Sequence, residues 1–166
     1  MDASETRKDL FAWYGAAMYA AQLFEVELVT LLLCLERLTS PRITATKLDR
    51  IDDILSRKTL GALLGELKKH TTLDSEFEQL LLSYRDKRNY LAHRFFHENA
   101  QRMSTVQGFE ELTEELKEIE SQLRQADAVA MKMSENVRGA CGIPENEFQA
   151  YVDTVMKSEV TEDDAT

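Results

Sequence analysis

Apolar residues recur at steps of three and four through most of the chain, the period of helices buried along one face. From about Ser4, Leu10, Tyr14, Ala17, Met18, Ala21, Phe24 and Leu28 set this spacing. Leu31, Leu32, Leu33 and Leu35 then make the helix apolar on several sides, which places that end deep in a core. The pattern predicts a first helix over about 4–38, broken at Ser40-Pro41. The stretch 43–70 is less regular. Leu48, Ile51, Ile54 and Leu55 predict a short helix, and Thr59 caps a second segment carrying Leu60, Leu63, Leu64 and Leu67. Ser75-Glu76-Phe77-Glu78 fits a capping box, opening a helix that carries Phe77, Leu80, Leu81, Tyr84, Leu91 and Phe95 to about His97.

The clearest pattern follows. Phe109, Leu112, Leu116, Ile119, Leu123, Ala126, Ala130, Met133, Val137 and Ala140 form a heptad seam, with Gly108 before it and Gly139 near its end. A free coiled coil would show such a seam. In a chain this short, a long helix packed along a bundle is the better reading. A last helix is expected over about 144–156, from Phe148, Tyr151, Val152 and Val155, within a single domain spanning 1–157. An acidic tail follows over 158–166. The expected fold is all-α: an up-and-down bundle of four main helices plus one or two short ones.

Composition agrees with this. The 166 residues include only 6 Gly and 2 Pro, too few turn formers for a sandwich, barrel or doubly wound sheet. With 43% apolar and 30% charged residues, the chain has the balance of a globular domain. Its formal charge of −10 weighs against a general polyanion binder, while leaving room for a local basic site. Cys34 and Cys141 have no motif neighbours, so neither a disulfide framework nor a cysteine zinc site is expected. The N-terminus lacks signal-peptide character, and no uninterrupted apolar run approaches the roughly 20 residues of a membrane helix. A cytoplasmic protein with no membrane association is therefore expected.

One segment departs from the acidic background. Residues 84–97 hold four Lys or Arg, one Asp, four aromatics and two of the three histidines. Basic residues interleaved with aromatics can hold phosphates and stack bases. The competing reading is a solvated basic face with its aromatics in the core. Arg88 falls at the apolar spacing of Tyr84, Leu91 and Ala92, where a charge needs a partner or a cleft. Asn89 and His93 share another face with Asp86. Arg88 and His93 lie about 140° apart on an ideal helix and cannot meet head-on there. His93 and His97 also have the spacing of two metal ligands, but no third is evident, and no metal or other cofactor is expected.

Arg88-Asn89-Tyr90-Leu91-Ala92-His93 resembles the Arg-x4-His motif of the HEPN superfamily (higher eukaryotes and prokaryotes nucleotide-binding domains). The resemblance covers six residues, and a polar residue, often Asn, follows the Arg in that family. It implies an all-α bundle with the motif near the end of its third helix. It also implies a metal-independent endoribonuclease working as a homodimer, in toxin–antitoxin or antiviral defence, with RNA as substrate and an antitoxin or other regulatory protein as a possible partner. In one branch a Tyr stands two positions after the His; Phe95 stands there here. Carried over, Arg88 and His93 are the catalytic pair with Asn89 assisting. Arg85, Lys87 and Arg94 hold phosphates, Tyr90 or Phe96 stacks a base, and His97 adjoins the RNA. Two alternatives keep the same fold: a non-catalytic interaction protein and a nucleotide sensor. In either, Arg88 could simply pair with an acid such as Glu25 or Glu27.

Overall fold

The computed structural model describes residues 3–73 and 75–142. The helix expected over 144–156 and the tail over 158–166 lie outside the described residues. Among the described residues, six helices follow one another: α1 (Ala3–Thr39), α2 (Ala45–Leu55), α3 (Leu60–His70), α4 (Ser75–His93), α5 (Phe95–Glu98) and α6 (Val106–Cys141). A 3-10 turn, Arg102–Ser104, precedes α6, and no strand occurs among the described residues.

Local chemistry sets several of the boundaries. Thr44, Thr59 and Thr105 each accept a hydrogen bond from the backbone N–H three residues on, at 3.3, 3.3 and 3.0 Å. Each thereby satisfies one of the donors that a helix N-terminus leaves open. Gly142 ends α6 at φ +65°, a left-handed conformation that costs glycine little. The helix therefore extends beyond the seam at both ends, starting two residues ahead of Gly108 and stopping at Gly142, three residues past Gly139.

Contacts between helices fix their directions. Arg7 lies over Phe109, Lys117 lies over Trp13, and Cys141 approaches the Cys34 carbonyl. Residue numbers rise together along both helices, so α1 and α6 run parallel. Phe24 meets Tyr84 and Phe11 meets Phe96, so α4 and α5 run back along α1. Lys68 pairs with Glu78 near one end of α3, and Gly61 faces Arg85 near the other, so α3 and α4 are antiparallel.

The core joins Leu10, Phe24 and Leu28 of α1, Leu63 and Leu67 of α3, Leu91 of α4, Phe95, and Leu112, Leu116 and Leu123 of α6. The predicted seam is buried from Phe109 to Ala130 and then drifts: Ser134 and Arg138 are buried, while Ala140 is exposed. A 3.5-residue repeat loses register with a straight 3.6-residue helix, so buried positions beyond Ala126 advance by four. Glu27 of α1 meets this polar end, hydrogen-bonded to Ser134 and facing Arg138.

By length and composition α1 is apolar enough to cross a membrane, with a mean hydropathy of 1.6 in its most apolar window. Half of that window is buried within the fold, as in a core helix. No single uninterrupted run conveys this, because the alanines and aromatics on either side of Gly15 and Gln22 carry the apolar character across short breaks.

Candidate active site at the end of α4

The basic segment straddles a break in the helix. The Tyr14 hydroxyl donates to the Leu91 carbonyl at 3.0 Å. An α-helix would use that carbonyl to bind the N–H of residue 95. The helix ends at His93, Arg94 leaves helical geometry, and Phe95 begins a separate turn. α4 is thus four residues shorter than expected, and His93 stands exposed at its end.

Phe95 is fully buried in an aromatic cluster, 5.4 Å from Tyr14 and 5.7 Å from Tyr90 between ring centroids. A hydroxyl there would need a buried partner. Phe96, next along, is turned outward against Tyr14 and Phe11.

Arg88 faces α1. Its Nε donates to Glu25 Oε1 at 2.6 Å. Both side chains are about one-quarter exposed, at 27% and 24%. The contact engages the Nε side of the guanidinium, while forked recognition of a phosphate uses paired N–H groups. The acid expected to neutralise an arginine on the apolar stripe is therefore Glu25. Glu27 lies against α6, where burial pushes its carboxyl pKa up, partly offset by the Ser134 hydrogen bond.

Asn89 is half-buried and His93 is exposed. No hydrogen bond or ion pair among the described residues joins Arg88 to His93. Five residues of helix separate them by about 7.5 Å along the axis and 140° around it. The remaining basic residues are engaged locally. Arg85 pairs with Asp86 at 2.8 Å, Lys87 donates to Ser83 at 2.6 Å, and Arg94 approaches Glu98 at 3.4 Å. His97 and Phe96 are exposed.

Tyr90 is held in a polar network. Its hydroxyl donates to Glu115 Oε1 at 2.8 Å and accepts from Asn99 Nδ2 at 2.7 Å. Arg102 closes the network, donating to Asn99 Oδ1 and Glu115 Oε2, both at 2.9 Å. Burial raises the Tyr90 pKa, and Glu115 adds to the effect. The ring is half-buried, lies edge-on to Phe95 and carries the Arg94 guanidinium 5.7 Å from its centroid, so Tyr90 ties α4 to α6. Sequence reasoning missed Asn99, Arg102 and Glu115; no motif links residues so separated in the chain.

No group of three or more metal-ligating side chains forms among the described residues. Of two described cavities, one is a closed apolar gap between Leu28, Leu81 and Ala130, and the other is an open hollow of about 480 Å³ beside Pro41 and Arg42. Neither reaches the motif. Comparison with protein-family models, curated proteins and solved structures finds no match.

Proposed function

We propose that this protein is a metal-independent endoribonuclease of HEPN type, acting as a cytoplasmic homodimer in a toxin or antiviral defence system. One observation carries the reading: the Arg-x4-His motif stands where α4 ends, with His93 exposed and Arg88 anchored from α1 yet partly open to solvent. A neutral imidazole at His93 takes the proton from an RNA 2′-hydroxyl. The oxygen attacks the adjacent phosphorus, the 5′-oxygen leaves with a proton, and a 2′,3′-cyclic phosphate remains. Arg88 carries a permanent charge that stabilises the phosphorane. Asn89 orients the scissile phosphate, and Arg85, Lys87, Arg94 and His97 hold the flanking backbone. Phe96 offers a base its exposed ring. The acidic chain as a whole disfavours indiscriminate RNA binding, so the substrate range is narrow, or a partner such as an antitoxin restrains the activity.

The Glu25–Arg88 pair favours a second reading, a non-catalytic protein of the same fold in which Arg88 only ties α4 to α1. RNA cleavage in EDTA separates the two, comparing wild type with Arg88→Ala and His93→Ala. Cleavage by wild type alone, leaving cyclic phosphate ends, supports the ribonuclease. Equal cleavage by the folded variants, or none by any protein across a panel of structured and unstructured RNAs, favours the interaction protein.

A further inference from the structure

The two cysteines share no motif and stand 107 positions apart, yet the fold brings them together. Cys34 lies near the end of α1, and Cys141 is the last residue of α6. Because these helices run parallel, both thiols sit at one end of the bundle. The Cys141 Sγ is 3.9 Å from the Cys34 carbonyl oxygen. Ordinary bond lengths then put the two α-carbons within about 9 Å of each other. A disulfide needs about 4.4–6.8 Å, so an approach of about 2 Å closes the gap. Cys141 can make that approach, because α6 has no further turn to hold it and the next residue is Gly142, free to change its backbone angles. The thiols differ in access. Cys34 is 7% exposed, while Cys141 is half-buried. Burial favours the protonated Cys34 thiol, the Arg138 guanidinium opposes this, and the charge of Cys141 is close enough to be felt.

We propose that Cys34 and Cys141 form a thiol modification site, in which hydrogen peroxide oxidises Cys141 and Cys34 resolves the product as an intrachain disulfide. Cys141 is reached by solvent, so it meets the oxidant first. Its sulfur attacks one peroxide oxygen, the O–O bond breaks, and hydroxide leaves with the thiol proton as water. Cys141 is then a sulfenic acid. The Cys34 sulfur attacks the Cys141 sulfur, the S–S bond forms and the S–O bond breaks. The departing hydroxide takes the Cys34 proton as a second water. Two electrons have passed from the sulfurs to one peroxide, and a small dithiol returns them by exchange. Proximity offsets the low thiolate fraction of Cys34. Burial keeps other thiols away from Cys34, so Cys141 is the partner within its reach. In a reducing compartment such a bridge is transient. It ties α1 to α6 and closes a loop that holds α2 to α5. The constraint falls mainly on the unfolded chain, so the bridge raises stability and does not rest on the ribonuclease reading.

Brief exposure of the reduced full chain to sub-millimolar hydrogen peroxide, followed by alkylation and mass spectrometry, tests the pair. The expected product is a single chain two hydrogens lighter, with no alkylated cysteine. Its digest should hold the Cys34 and Cys141 peptides joined, and dithiothreitol should separate them. The bridged chain should melt about 10 °C above the reduced one. Cys34→Ala should leave Cys141 as a sulfenic acid that dimedone captures, and Cys141→Ala should leave Cys34 a thiol. The wild-type products decide the question should either variant fail to fold. Wild type that keeps both thiols overturns the proposal. So does oxidation of Cys141 to sulfinic acid with Cys34 still free, or a link between two chains through Cys141. A Cys141→Ala chain whose Cys34 oxidises as fast as the wild-type pair also overturns it, as does a bridge that lowers the melting temperature.

Discussion

Gly108 sits in the first turn of α6, beneath the 3-10 turn that carries Arg102. A Cβ there would stand 1.9 Å from the Arg102 carbonyl oxygen and 2.6 Å from its carbon. Real Cβ contacts do not fall below 3.0 Å, so Gly108→Ala forces the turn to retreat by at least 1.1 Å, the difference between 3.0 and 1.9. The obstruction is backbone and cannot swing aside as a side-chain tip would. Arg102 donates to Asn99 and Glu115 at 2.9 Å, and a displacement of that size stretches both bonds past useful length. Arg102 is partly exposed, so each bond is worth about 1 kcal/mol here, and crowding adds about 1 kcal/mol. Alanine returns about 1 kcal/mol through its better helix propensity. The net loss is ~2 kcal/mol, a fall of roughly 4–8 °C in melting temperature for a domain of this size. Gly139→Ala in the same helix is the control, because its Cβ meets nothing within 4 Å. That variant should gain up to ~1 kcal/mol. Urea and thermal unfolding followed by circular dichroism measure both. If Gly108→Ala matches Gly139→Ala, the close approach does not constrain the fold and the reasoning fails.

Three further outcomes are expected. A double-mutant cycle between Glu25→Ala and Arg88→Ala should give a coupling of about 1 kcal/mol, between the ranges for exposed and buried pairs; a cycle closing to zero would mean that Glu25 does not anchor Arg88. Burial raises the Glu27 pKa above its ordinary 4.5, so its protonated form contributes stability fully below pH 4.5, which is lost as pH rises through the raised folded value. Glu27→Gln should therefore be more stable than wild type at pH 7, with the gap closing toward pH 4; urea unfolding across this range would contradict the argument if Gln were the less stable at neutrality. Burial pushes the Cys34 thiol up to about 11, so its thiolate fraction at pH 8 is about one in a thousand. Alkylation mapped by mass spectrometry should modify Cys141 first, with Cys34 accelerating about tenfold per pH unit up to pH 10.

The helices themselves were legible because their signals are local. The three-and-four spacing marks α1, α3 and the buried run from Phe109 to Ala130, and Thr59 caps α3 as its position suggested. The end of α4 was not legible. No Pro or Gly stands near Arg94, and the break accompanies a hydroxyl from Tyr14, 77 residues away, bonded to the Leu91 carbonyl. For the candidate site, the sequence identified the residue types and the need for Arg88 to find an acid. It left Glu25 and Glu27 equivalent, two residues apart on one helix. The packing directions of α1 separate them, sending Glu25 to α4 and Glu27 to α6.

By itself, then, the sequence determined the all-α class, most helix spans and the one basic, aromatic segment in an acidic chain. Periodicity, capping and charge act over a few residues, within one helix. Only the tertiary structure decided that α1 and α6 run parallel, that Tyr90 is held by Asn99 and Glu115, and that Cys141 comes to lie beside Cys34. Those outcomes depend on which faces of distant helices meet, and a helix's own pattern specifies that it must be covered, but not by what.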